Sequence, residues 1–245
     1  MIAAAIFVMA LLYSSVGHGG GSGYLATLAL AGVAAGVMRP AALILNLLVA
    51  GIAAAQFARS GYFSWRVFWP FALTSVPLAF IGGQIHLPGA LYKQMVGAAL
   101  IFAAVRLFVV ARADAGTDNA TRTPPLLLAL GVGAVLGFVA GLTGVGGGIF
   151  LSPLMLLFRW ADTRQTSAVS AAFIWVNSAA GLAGQVSQQN ALFASLPRAL
   201  GGWAIAAIIG GALGSELGRK RLDTATLRRA LAIVLVIAGV KLFLA

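Results

Sequence analysis

Cysteine is absent from all 245 residues, so neither disulfides nor thiolate metal sites are open to this chain in any compartment. Acids are nearly as scarce: five Asp and Glu stand against sixteen Lys and Arg, with two His and a formal net charge of +11. Of those acids only Glu216 lies close to an apolar run, which disfavours a path for cations. Missing too is any stretch polar enough to form a soluble domain. What is present is apolar, with 61% hydrophobic residues, 9% charged and a mean hydropathy of +1.00. No water-soluble globule buries that much apolar surface. Runs of bilayer-crossing length, about 17 to 25 residues, recur at Ala41 to Ala58, Val67 to Ile85, Gln94 to Val110, Leu126 to Gly141, Thr166 to Val186, Ala199 to Leu213 and Leu227 to Ala245. The chain reads as an all-α polytopic membrane protein whose first partner is the lipid bilayer.

The opening run, Ile2 to Tyr13, has no Lys or Arg before it and no small-residue cleavage site after it, so it reads as a retained segment. The basic residues would suit a nucleic acid if they were clustered. Most fall instead in short loops between apolar runs, where their usual role is to orient the chain in the membrane, and no nucleic-acid partner is expected. Trp65, Trp69 and Trp203, near segment ends, suit the aromatic belt at the membrane surface.

Two glycine-rich stretches, "SSVGHGGGSGYL" from Ser14 and "GLTGVGGGIFL" from Gly141, interrupt this pattern and begin an internal repeat. Pairing Gly20 with Gly146 sets Tyr24 against Phe150, Leu28 against Leu154 and Thr27 against Pro153. Further along, "NLLVAGIAAAQ" from Asn46 echoes "NSAAGLAGQ" from Asn177, "IGGQI" at 81 echoes "IGGAL" at 209, and "VRLFV" at 105 echoes "VKLFL" at 240. The expected organisation is a first membrane repeat over residues 1–111, a polar linker over 112–125 and a second membrane repeat over 126–245.

Charge decides how the repeats are oriented. If the glycines merely interrupt a crossing, the basic residues divide nine to seven between the two sides; if each glycine stretch is the tip of a hairpin, they divide twelve to four. The second arrangement obeys the positive-inside rule and inverts one repeat against the other. The arms after the tips, Tyr24 to Val37 and Ile149 to Phe158, span about 21 and 15 Å at 1.5 Å per residue, short for a core of about 30 Å. Each half is therefore expected to be a Gly-tipped helical hairpin (a broken helix) plus three transmembrane helices, with both termini outside.

Non-helical chain at membrane depth is tolerated only where protein or a wet cavity surrounds it, and matched breaks in two repeats point to a transporter's binding site. Helices starting after such tips turn unpaired N–H groups and a positive dipole end inward, an arrangement that favours an anion. The candidate substrate-binding residues are His18, Gly19, Gly20, Gly21, Ser22 and Asn46 in the first half, and Thr143, Gly144, Gly146, Gly147, Gly148 and Asn177 in the second. The two Asn side chains would add N–H donors for oxyanion oxygens. Singly, Ser14, Ser15, Ser22 and Thr143 also suit helix capping. His18, the one ionisable residue within a tip, offers a route for coupling to protons. Gln56 and Gln185 fall nearer an interface, and Gly82, Gly83, Gly210 and Gly211 suit tight helix packing. Arg106 and Lys241 can snorkel to the surface or, facing inward, funnel anions. No cofactor, metal or catalytic residue is expected, and assembly as a homo-oligomer is left open.

The duplicated glycine motif, above all "GLTGVGGGIFLSPLML" followed by "TSAVSAAFIWVNSAAGLAG", resembles the sulfite exporter family TauE/SafE, bacterial inner-membrane permeases. The resemblance covers nearly the whole chain and implies a secondary carrier of sulfite, organosulfonates or related sulfur-containing anions, acting as an exporter. Two other classes compete. "GGSG" at 20–23 fits the G-x-S-G of rhomboid-type intramembrane serine proteases, with Ser22 as nucleophile and His18 or His86 as base, although the second copy holds no Ser there. An anion or ion channel is the other reading, but a cation filter needs carbonyls aimed at the ion where these tips aim amides.

Overall fold

The computed structural model describes residues 1–15, 17–113, 122–189, 192–193, 196–219 and 224–244, with backbone alone for 106–113, 218–219, 224–232 and 234. Among these residues all regular secondary structure is helical: α1 (Ile2–Ser15), α2 (Gly21–Leu30), α3 (Ala35–Arg59), α4 (Trp65–Gln84), α5 (Gly89–Ala113), α6 (Leu126–Thr143), α7 (Gly148–Leu157), α8 (Thr163–Gln188), α9 (Leu200–Arg219) and α10 (Thr224–Leu244). Five stretches are long and apolar enough to cross a bilayer: α3, α4, α6, α8 and Leu200–Leu217 of α9. Large apolar side chains such as Leu73, Val135, Ile205 and Ile237 remain more than half exposed, as lipid-facing positions require.

Small residues set the packing. Gly133, Gly137 and Gly141, one turn apart on α6, lie against Phe71, Ser75 and Ala79 of α4; a Cβ at Gly137 would fall 2.2 Å from the Ser75 carbonyl oxygen. The numbers rise together, so α4 and α6 run parallel. In the same way Gly210 and Gly214 of α9 lie against Phe7 and Leu11 of α1, again parallel. Backbones this close gain dispersion contacts that larger side chains would forbid, the usual basis of helix association in lipid. Gly82 meets the Phe138 carbonyl, Gly83 the Gly181 carbonyl and Gly211 the Val49 side chain, so these glycines serve packing as expected.

The other two main pairs run antiparallel. Phe57 clusters with Ala168, Gly51 faces Trp175 and Leu43 reaches Gly181, which crosses α3 over α8; Gly97 against Leu242 and Ile101 against Gly239 do the same for α5 and α10. The helix α8 is started by Asp162, whose carboxylate accepts from the Gln165 amide at 2.8 Å.

Three expectations need correction. The first post-tip arm ends at Leu30 and is followed by a break with left-handed Gly32, so α2 and α7 have the same length of 10 residues. Trp65 and Trp69 are exposed, but Trp203 is 6% exposed and packs in the core, because its position in the first turn of α9 faces inward. The repeat pairing also shifts by one. Gly20 and Gly147 each take a left-handed conformation immediately before a helix, and Gly17 and Gly144 are left-handed at the matching earlier place. Backbone geometry thus pairs Gly17-His18-Gly19-Gly20-Gly21 with Gly144-Val145-Gly146-Gly147-Gly148, and Ala26 rather than Thr27 matches Pro153. Of the polar linker, residues 114–121 lie outside the described residues, as does the Arg106 side chain.

Candidate functional site

The two glycine turns meet. A Cβ at Gly21 would lie 2.5 Å from the Val145 carbonyl oxygen and 2.4 Å from Asn46 Nδ2. Asn46, wholly buried near the middle of α3, reaches between the turns: its Nδ2 donates, at 3.4 and 3.3 Å, to the carbonyls of Gly144 and Val145, while Oδ1 faces Gly19 and has no hydrogen-bond partner. Neither α2 nor α7 carries a side-chain cap, so the first amides of both helices are left for some other acceptor. Left-handed backbone at Gly20 and Gly147 aims these amides; an L side chain at either position would cost about 1–2 kcal/mol.

Around this crossing the polar groups are unevenly supplied. Gly19 meets Ile174 and Asn46, and Gly146 meets the same two residues together with Ser178. Counted from the starts of their helices, Ala35 and Thr163, Asn46 of α3 has Ile174 of α8 as its counterpart. The expected pairing of Asn46 with Asn177 does not hold: Asn177 turns its Nδ2 to its own helix, donating to the Phe173 carbonyl at 2.8 Å, and leaves its buried Oδ1 unpartnered. Ser178 Oγ is likewise buried with no partner. Such atoms are costly in an apolar interior, and the open Asn oxygens are acceptors that call for a donor: the Nδ2 atoms expected to face an oxyanion are bonded to backbone carbonyls.

His18 is half-buried at the first tip, and its Nε2 lies 2.9 Å from Ser152 Oγ of α7, which is itself 2.8 Å from Ser170 Oγ of α8. The histidine therefore joins the first hairpin to the second. Ser22 faces the other way: its hydroxyl donates to the Tyr13 hydroxyl of α1 at 2.8 Å, outside the crossing. A serine so engaged is not aligned for attack. Thr143 acts as a terminator of α6, donating to the Val139 carbonyl, accepting from the Val145 amide at 3.4 Å and offering its own carbonyl to Tyr92 Oη at 3.0 Å. Ser15 donates to the Leu12 carbonyl of its own helix, while Ser14 Oγ is buried without a partner. Gln56 and Gln185 sit in the last turns of α3 and α8, each with one amide atom, Oε1 and Nε2 respectively, buried without a partner. Lys241 is exposed and caps the end of α2, its Nζ donating to the Leu30 carbonyl at 2.9 Å, which favours the snorkelling role.

One residue read from the sequence only as a loop cation proves central. Arg39, in the second turn of α3, is 8% exposed; its guanidinium donates to the carbonyls of Gly82 at 2.6 Å, Ile85 at 2.8 Å and Gly141 at 3.0 and 2.5 Å. Those carbonyls close the C-terminal ends of α4 and α6, where the helix dipoles are negative and orphan acceptors need donors. Its stem packs on Gly144, on the helix face that also presents Asn46 two turns on. The available signal was that sevenfold spacing from Asn46; its place before Pro40 at the edge of an apolar run hid it.

Broken helices meeting inside an apolar bundle, with buried polar atoms and glycine at their junction, are the architecture of a multi-pass membrane transporter. The comparisons fit this class and narrow it: residues 2–242 match the family described as Sulfite exporter TauE/SafE, and the chain belongs to that family. It is 41% identical over 242 residues to a "probable membrane transporter protein", y4hK, of Sinorhizobium fredii, covering 98% of this chain and 96% of that one. A "probable membrane transporter protein" of Methanocaldococcus jannaschii is 25% identical over 166 residues, covering 64% of this chain and 60% of that one. No solved structure matches significantly.

Proposed function

We propose that the chain is a secondary transporter of small sulfur-containing anions, sulfite or an organosulfonate, which exports its substrate across the bacterial inner membrane by alternating access around the two glycine turns. The observation that carries this reading is the junction itself: two uncapped helix starts converge on one buried amide, Asn46. Free amides at helix N-termini recognise oxyanions, and glycine permits their close approach. The substrate class follows the name of the family; the bare amides fit it. Protons are the proposed coupling ion, taken up at His18.

An inverted repeat supports the mechanism. Exchanging α1–α5 with α6–α10 turns the parallel α1–α9 pair into the parallel α6–α4 pair and returns the α3–α8 and α5–α10 pairs to themselves. Elements related by a twofold axis in the membrane plane run antiparallel to their own counterparts, as these two pairs do. Residues 1–111 and 126–245 are then the two repeats, rocking against each other about the fixed junction.

Reconstitution tests the proposal. Liposomes holding the purified protein should exchange labelled sulfite or a small sulfonate, with competition from other oxyanions and no permeation of K⁺ or Na⁺. Failure to move any sulfur oxyanion, or passage of alkali cations, refutes it. Orientation is tested separately, since a single cysteine placed at Arg112 should resist an impermeant reagent added outside intact cells.

A further inference from the structure

Asn46 reaches both glycine turns, and its two amide atoms are differently occupied. Nδ2 donates to the Gly144 and Val145 carbonyls of the second turn. Oδ1 lies against the first turn, 3.1 Å from a Cβ placed at Gly19 and 3.0 Å from one placed at Gly21, and accepts from nothing among the described residues. The second turn decides which atom is which, because turning the amide over would set Oδ1 against two carbonyls that can only accept. The open atom is therefore an acceptor, and it is wholly buried. Ile174, which meets the same Gly19 and Gly146 positions, has no donor to offer it. Gly21 is also the first residue of the uncapped α2, so this acceptor stands beside the bare amides of a helix start. On the Gly146 side Ser178 Oγ, likewise buried and unpartnered, can both give and take a hydrogen bond.

A solute made of acceptors alone answers only half of this arrangement. The oxygens of any sulfur oxyanion suit the amides, but against Asn46 Oδ1 they leave a buried acceptor unpaired and bring two negative atoms together. We infer that the junction selects anions that carry a hydrogen-bond donor of their own, which Asn46 Oδ1 accepts: hydrogensulfite over the sulfite dianion, and a sulfonate with an O–H or N–H beside its sulfur over one with only hydrocarbon there. Dianions are disfavoured twice, since they lack the donor and bring a second charge into an apolar interior. Asn46 is on this account a specificity-determining residue, and the inference rests on the sulfur-anion reading above.

Sulfamate and methanesulfonate isolate the donor. Both are tetrahedral monoanions of nearly equal size, and they differ in an NH2 group against a CH3 group. Uptake of each is measured into liposomes holding the full chain, with equal pH on both sides, beside uptake of labelled sulfite. Sulfamate should be favoured over methanesulfonate by about tenfold or more, the scale of leaving one buried acceptor unpaired. Asn46→Leu should bring that ratio close to one, whatever absolute rate is lost through the second turn; a merely structural role would slow both anions and leave the ratio. If the variant does not fold, the unaltered protein supplies a second measurement. At fixed total sulfite, uptake relative to sulfamate should rise as pH falls through the range in which sulfite gains its proton, while the charge of sulfamate stays constant; protonation of His18 acts on both anions and cancels. Equal uptake of the isosteric pair, exclusion of sulfamate while sulfite enters, or a flat sulfite-to-sulfamate ratio overturns the inference and leaves the sulfur-anion reading standing. A preference that survives Asn46→Leu overturns the assignment to Asn46. Uptake of none of the three anions refutes the transport reading, and the inference with it.

Discussion

Replacing Gly147 by alanine places one methyl group at the start of α7, and the structure fixes what it meets. The backbone there has φ +79°, and the new Cβ would stand 2.9 Å from Phe173 Cε1 and 3.2 Å from Ala140 Cβ. Left-handed backbone with a Cβ costs about 1–2 kcal/mol. Phe173 is wholly buried and has little room to retreat, so overpacking adds about 1–3 kcal/mol. The sum, about 2–5 kcal/mol, is a large part of the 5–15 kcal/mol that holds a typical domain folded. Gly131→Ala is the control: the same change on α6, at a helical position with nothing within 4 Å, where helix propensity gains up to about 1 kcal/mol. Thermal unfolding in detergent should fall by several degrees for Gly147→Ala and hold or rise for Gly131→Ala, and liposome exchange should fall only for the former. Equal unfolding temperatures would show that the turn is not held in this conformation.

Asn46→Leu removes the donor shared by the Gly144 and Val145 carbonyls and should cut transport by about tenfold or more while the protein still inserts, measured as exchange per reconstituted molecule. Ser22→Ala loses the bond to Tyr13 and should cost about 0.5–1.5 kcal/mol in unfolding while leaving transport within about twofold; complete inactivation would restore the serine-nucleophile reading. Asp162→Ala strips the cap of α8 and should destabilise by about 1 kcal/mol, seen as faster hydrogen exchange at Gln165 and Thr166 with transport retained.

Composition alone placed the chain in lipid, because no arrangement of so few charges could solvate so much apolar surface. Glycine density was equally readable: five glycines from Gly17 to Gly23 signal a broken helix, and the turn lies over residues 17–20, with α2 starting at Gly21. Register was not readable, since side chains that match by type, such as Tyr24 with Phe150 or Asn46 with Asn177, need not match in backbone position. The left-handed glycines, visible only in three dimensions, set the pairing. Arg39 escaped for a related reason. A cation at the edge of an apolar run is ordinarily a surface anchor, and only the arrival of two distant helix ends, at Gly82 and Gly141, makes it an interior one.

The unequal pair at the crossing, Asn46 from α3 and Ile174 from α8, limits how the chain could be simplified. A miniature assembled from two copies of residues 126–245 would set isoleucine at both places, and one assembled from two copies of residues 1–111 would set asparagine at both. The first would have a greasy plug between its turns; the second would crowd two amides into space shaped for one. On the proposed duplication, divergence would leave each half dependent on the other's chemistry, so that neither could stand in for its twin.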